Sequence, residues 1–167
     1  SVAQSYAKNL SAYKREDGYL EGESCIVSWC LGHLAEYAQP EEYDPKYEKW
    51  QFDDLPILPE AWKLKVSKDK KKQFEVIKTL MNRSDVEYLV NGCDAGREGE
   101  LIFQRVYDLA GCRKPVKRLW ISSMEDAAIQ KGFQTMKSEE EYKNLCMAAV
   151  CRAQADWLIG MNGTRAY

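Results

Sequence analysis

Apolar positions along the chain change spacing several times, and each change marks an element. "SVAQSYAKNL" places Val2, Tyr6 and Leu10 four apart, which predicts a helix from Ser1 to about Leu10, opened by a capping box at Ser1 and Gln4. "GYLEGESCIVSWCLGHL" is β-branched, aromatic and broken by Gly18, Gly22 and Gly32; it predicts a hairpin or strand pair ending near Gly32. From about 36 to 60 lie four of the five prolines among aromatics and acids, the pattern of an irregular segment draped over a scaffold. "SKDKKKQFEVIKTLMNRS" then returns to helical spacing, capped by Ser67, with Phe74, Ile77, Leu80 and Met81 on one face.

The next switch is the most informative. "VEYLVNGC" is an apolar run that predicts a buried strand, and "GREGELIFQRVYDLAG" follows as a helix, with Leu101, Ile102, Val106 and Leu109 inward and Gly111 as its stop. "VKRLWI" predicts another short strand. "SMEDAAIQKGFQTM" predicts a helix capped by Ser123 with Asp126 three residues on, and a last long helix spans about 138 to 159. Strands alternating with helices imply an α/β fold: an open, mostly parallel, Rossmann-like sheet flanked by helices.

Composition narrows the class without naming an activity. With 167 residues the chain can bury a core. Its net charge of −2 supplies no global field for nucleic acid, so any such contact has to be local. No run approaches the ~18 apolar residues of a membrane span, and the N-terminus carries no signal-peptide pattern. The six cysteines sit mostly in apolar runs and form no C-x-x-C pair, which reads as free thiols rather than a disulfide framework.

One corner carries the candidate chemistry. In "YLVNGCDAGREGELIF" the strand stops at Asp94, whose carboxylate is then placed in the crevice off the strand's carboxyl end. Gly96 and Gly99 loosen the turn and let a phosphate approach the free N–H groups of the new helix, and Arg97 adds an anion donor. Glu98, in the first helical turn, is expected near Asp94. Two carboxylates beside phosphate donors suit a hard divalent ion such as Mg2+. Plain capping, worth about 0.3–1 kcal/mol per acid, accounts for Glu98 or Glu100 singly, but not for Asp94, Arg97 and both glycines together.

"CDAGREGELIF" resembles the D-x-D-R-E-G-E motif of Toprim domains, most closely that of type IA DNA topoisomerases of the topoisomerase III branch. "WCLGHLAEYAQPEEYDPKYEKW", "RLWISSMEDAAI" and "RAQADWLIGMNGTRAY" are similar to further segments of that family, in the family's order along nearly the whole chain. Two departures stand out. Gly96 replaces the family's second aspartate, and the chain opens at the serine of a Glu-Lys-Pro-Ser segment, without its glutamate.

The resemblance implies a Toprim domain over 1–137, interrupted by the 36–60 insertion, and the helical start of an adjoining domain over 138–167. It implies that Asp94 and Glu98 hold Mg2+, weakly in this chain. Asp94, Glu98, Arg97 and His33 would form the catalytic group, and His33, Arg152, Asp156 and Arg165 would contact single-stranded DNA. The implied partners are that DNA and the remaining topoisomerase domains, with no membrane, in a cytoplasmic, nucleoid-associated setting. The nucleophilic tyrosine is expected in a later domain, since none of the ten tyrosines here has its context, so this piece alone is expected to be inactive.

Residue chemistry keeps other readings beside these. His33, the only histidine, also fits a hydrogen-bonded structural role. Arg152 and Asp156, four apart, also fit an intrahelical ion pair. Lys68 to Lys72 read as a solvated helix start, "RKPVKR" as a strand edge with a lesser claim to phosphate, and the five tryptophans as packing residues. Rival functions are another Mg-dependent Toprim protein, such as a primase or nuclease, and a non-catalytic phosphate-binding α/β module.

Overall fold

The computed structural model describes residues 1–167. In chain order it has α1 (Val2–Asn9), β1 (Lys14–Glu16), β2 (Tyr19–Glu21), β3 (Ile26–Ser28), β4 (Ala35–Tyr37), α2 (Pro40–Tyr43), β5 (Leu64–Val66), α3 (Lys71–Met81), β6 (Leu89–Asn91), α4 (Arg97–Ala110), β7 (Val116–Arg118), α5 (Asp126–Gln134), β8 (Lys137–Ser138) and α6 (Lys143–Ala166). Strands β1, β2 and β3 form an antiparallel meander, β4 pairs antiparallel with β5, and β6, β7 and β8 form a third sheet in that order.

The α/β class is present. Its parallel character is confined to one pair, β6 with β7, where Leu89 faces Val116 and Asn91 faces Arg118. There the helix α4 carries the chain across to the parallel neighbour. Short turns join β1, β2 and β3, and longer runs containing α2 and α5 join β4 to β5 and β7 to β8, and all of these pairs are antiparallel.

Helix α4 lies at the centre, between α3 and α6. Phe74, Ile77 and Met81 of α3 pack with Phe103, Val106 and Ala110 of α4, joined by Leu34 and Cys112. The inward face of α4 is rotated from the expected one: Leu101 and Val106 are buried as expected, but Phe103 and Ala110 replace the half-buried Ile102 and Leu109. A helix covered on two sides is not described by a single apolar stripe. In α1 the buried pair is Ala3 and Ala7 rather than Val2, Tyr6 and Leu10, because small residues let that helix approach its neighbours closely.

Helix ends follow local chemistry. The capping box at Ser1 and Gln4 is formed, and Gly111 ends α4 at φ +64°, a conformation that side chains resist. The expected Ser67 and Ser123 starts shift inward. A 3-10 turn at Lys68–Lys70 precedes α3, and Ser123 Oγ accepts from the Glu125 N–H one residue before α5 begins. Helix α6 starts at Lys143 rather than near 138, after a 3-10 turn in which Ser138 Oγ accepts from the Glu140 N–H.

A second cluster holds the 36–60 segment in place. Tyr37, Ile57 and Trp157 are buried together, and Trp157 Nε1 donates to the Ala38 carbonyl at 3.1 Å. Asn162 of α6 bonds both backbone groups of Ile57, accepting its N–H at 2.6 Å and donating to its carbonyl at 3.0 Å. Packing is therefore continuous across the boundary expected at 137/138: α6 shares buried surface with α4 and with the 36–60 segment. No helix is long and apolar enough to cross a membrane.

Candidate active site

The corner between β6 and α4 is built from beneath by Arg118, a residue placed by the sequence pattern on a sheet edge with a minor claim to phosphate. The structure overturns that reading, because Arg118 is wholly buried. Its Nε donates to Glu100 Oε1 at 2.5 Å, and its Nη1 donates to the carbonyls of Asn91 (3.0 Å), Cys93 (2.7 Å) and Leu119 (3.0 Å). Its Nη2 donates to the Asp94 carbonyl at 2.7 Å. One guanidinium thus satisfies the backbone acceptors released where β6 stops, and Glu100, equally buried, supplies the counter-charge.

Asn91 completes this polar floor. It is buried, accepts from the Cys93 N–H at 3.2 Å and donates to Glu139 Oε1 at 3.1 Å. Burial, reinforced by a hydrogen bond to Glu100, raises the Glu139 carboxyl to about 7, against an opposing contribution from Asn91.

Above the floor the two glycines differ. A Cβ on Gly99 would stand 2.0 Å from the Asp94 carbonyl oxygen, so the first turn of α4 closes on the strand end only because residue 99 has no side chain. Gly96, by contrast, is extended at φ 162° and has nothing within 4 Å of a would-be Cβ. Gly96 is therefore not required by backbone conformation, contrary to the expectation from the motif alone.

Asp94, Arg97 and Glu98 are all exposed at this corner. His33, on the loop between β3 and β4, reaches Glu98: its Nε2 donates to Glu98 Oε1, while Nδ1 is buried without a partner. Residues 65 positions apart in sequence are thus joined at the first turn of α4. The remaining expected site residues lie on α6. Arg152 and Asp156 form an exposed i,i+4 ion pair at 3.6 Å. Arg165 donates to the Tyr47 carbonyl at 2.7 Å, lies over the Trp50 ring at 5.1 Å, and has a side chain only 7% exposed. It buttresses the 36–60 segment and faces away from solvent.

Only carboxylate oxygens and one imidazole are offered at the corner, and no group of three or more ligating side chains gathers anywhere. Two exposed oxygen donors fit a hard cation that keeps several waters or phosphate oxygens, as Mg2+ does, and do not fit a closed structural metal centre.

An acidic corner off the carboxyl ends of two parallel strands, fixed from below by a buried arginine, defines an α/β domain with an open, charged edge. The chain belongs to the Toprim family: residues 2–124 match the Toprim domain. It is 49% identical over 166 residues to DNA topoisomerase 3 of Bacillus subtilis (strain 168), 50% identical to that of Bacillus anthracis and 48% identical to that of Bacillus licheniformis. Each match covers 99% of this chain and 23% of the relative, so the chain spans about a quarter of the length of these proteins.

Proposed function

We propose that this chain is the metal-bearing Toprim part of a type IA DNA topoisomerase of the topoisomerase III kind. In this reading the longer protein cuts one DNA strand through a 5′-phosphotyrosine link, passes another strand and reseals the break without ATP. The observation that carries it is the corner itself. Asp94 and Glu98 are exposed on a backbone fixed by Arg118 and Gly99, with His33 brought to Glu98 from a separate loop, in a chain half-identical to DNA topoisomerase 3 proteins along its length.

Asp94 and Glu98 would hold Mg2+, which when bound supplies charge stabilisation at the scissile phosphate and orients the 3′-hydroxyl. The chain's own residues do the rest. Arg97, at the start of α4, offers donors to a phosphate oxygen beside the helix N-terminus. His33 holds the Glu98 carboxylate and is placed to exchange that contact for a phosphate or a proton. Arg152, oriented by Asp156, would take the single-stranded DNA backbone along the exposed side of α6, with affinity falling as salt rises. Arg165 would act indirectly, by holding the 36–60 segment. Action on chromosomal DNA would place the protein in the cytoplasm at the nucleoid.

The test uses the full-length polypeptide relaxing negatively supercoiled plasmid across a Mg2+ titration, beside Asp94→Asn and Glu98→Gln. Each variant is expected to need at least the ~10–100-fold more Mg2+ that loss of even an outer partner of a metal site costs. The 167-residue chain alone is expected to leave plasmid unrelaxed. Wild-type relaxation by Asp94→Asn at limiting Mg2+ would refute the proposal.

A further inference from the structure

The backbone that carries Asp94 is held by two different side chains. Arg118 takes the carbonyls of Cys93 and Asp94, each at 2.7 Å. The Cys93 N–H is taken instead by Asn91, whose Oδ1 accepts it at 3.2 Å. An amide can present its oxygen to that N–H in only one of its two orientations; flipped, it sets donor against donor.

The far end of the Asn91 amide selects the orientation. Nδ2 donates to Glu139 Oε1 at 3.1 Å, and Glu100 Oε2 lies 3.5 Å away, at the limit of a hydrogen bond. A carboxylate only accepts, so Nδ2 is kept on the side of the acids and Oδ1 on the side of Cys93. Asn91 is wholly buried, which leaves no water to replace either partner. Glu139 comes from 48 positions along the chain, in the 3-10 turn Glu139–Tyr142 that leads into α6. Its second oxygen, Oε2, is buried without a partner. An acceptor in that state lowers stability, so packing alone does not account for an acid at this position.

We propose that Asn91 and Glu139 are positioning residues for the acidic corner. Glu139 fixes the Asn91 amide, Asn91 fixes the Cys93 N–H, and the carboxylate of the next residue, Asp94, is thereby held where it can share a cation with Glu98. The proposal rests on the reading of Asp94 and Glu98 as the Mg2+ site. The turn that opens α6 is then a support of that site: withdrawing Glu139 frees the amide to turn and Asp94 to drift from Glu98. A purely structural role predicts something else, lower stability with the Mg2+ response of the folded chain unchanged.

The test follows the 167-residue chain by NMR, without DNA. MgCl2 is titrated while the backbone amides of Asp94 and Glu98 are recorded, with Asp94→Asn marking the response that remains without the site. Hydrogen exchange at the Cys93 amide is read in the absence of metal. Glu139→Ala is expected to speed that exchange and to raise the half-saturating Mg2+ concentration about 10-fold, the lower end of what loss of an outer partner of a metal site costs. Glu139→Gln, whose amide oxygen still accepts from Asn91, is expected to keep both values near those of the parent. Adding Glu139→Ala to Asn91→Ala should raise the Mg2+ requirement no further than Asn91→Ala alone, because both act through one contact. Should Asn91→Ala not fold, the comparison of Glu139→Ala with Glu139→Gln decides alone. An unchanged Mg2+ response in Glu139→Ala, an equal loss in Glu139→Gln, or additive losses in the double variant would each overturn the proposal while leaving the metal reading in place. A parent chain that responds no more than Asp94→Asn would overturn the metal reading, and the proposal with it.

Discussion

Arg118 and Glu100 illustrate how a buried charge can be structural and still govern a site. Both are fully desolvated, so removing one leaves the other uncompensated at a cost of about 3–5 kcal/mol. Arg118→Ala is therefore expected to lower stability by that amount in urea unfolding. Arg118→Lys should not rescue it, because a lysine cannot present the forked donors that reach the carbonyls of Asn91, Cys93 and Asp94. Of the candidate site, the exposed part was legible in the sequence: Asp94, Arg97 and Glu98 were marked by charge and glycine crowding at a strand-to-helix corner. The supporting part was not. Glu100 reads as one more helix-start acid, and Arg118 as one of several basic residues in "RKPVKR", until the pairing of Asn91 with Arg118 brings β7 beside β6. The weak signal available was a single charged residue entering the apolar run "LWI". The His33–Glu98 contact spans distant segments and had no local mark beyond the rarity of histidine.

At the level of elements, the β6–α4 corner depends on one glycine and is indifferent to the other. Gly99→Ala forces a Cβ to within 2.0 Å of the Asp94 carbonyl oxygen, so strand end and helix must separate. The expected loss is at least the ~1–3 kcal/mol of overpacking, with a fall in Mg2+ affinity. Gly96→Ala meets open space in extended backbone and should change stability by no more than about 0.5 kcal/mol. Thermal unfolding of the two variants side by side separates these outcomes. Element identity followed the periodicity: helices α1, α3, α4, α5 and α6 and strands β2, β3, β6 and β7 lie in segments whose spacing predicted them. Other features had no such mark. Strands β4 and β5 flank the irregular segment and pair across it, a long-range match invisible to local pattern. The faces of α1 and α4 rotated because neighbours on more than one side, rather than a single apolar stripe, decide what a helix buries.

For the molecule as a whole, Glu139 links folding to pH. Its carboxyl, with an ordinary value of 4.5, is held at about 7 by burial and by Glu100, while Asn91 and Arg118 act in the opposite sense. The folded state therefore binds a proton that the unfolded chain has released between those two values. The stability that Glu139 contributes is fully present below about 4.5, is lost as pH rises from there through about 7, and is level above. Because the group is half-buried, the change is expected to be about 1–2 kcal/mol rather than the full shift. Glu139→Gln should flatten the dependence, as urea midpoints between pH 5 and 8 would show; an unchanged slope would assign it to another group. The residue also introduces α6, whose 24 residues extend about 36 Å and are anchored twice, against α4 and through Trp157 and Asn162 against the 36–60 segment. That geometry makes α6 one continuous helix packed on both α4 and the 36–60 segment. Its far end is thereby connected, through packing against α4, to the helix whose first turn bears the acids, so strain arising elsewhere in a longer protein has a direct mechanical route to the acidic corner.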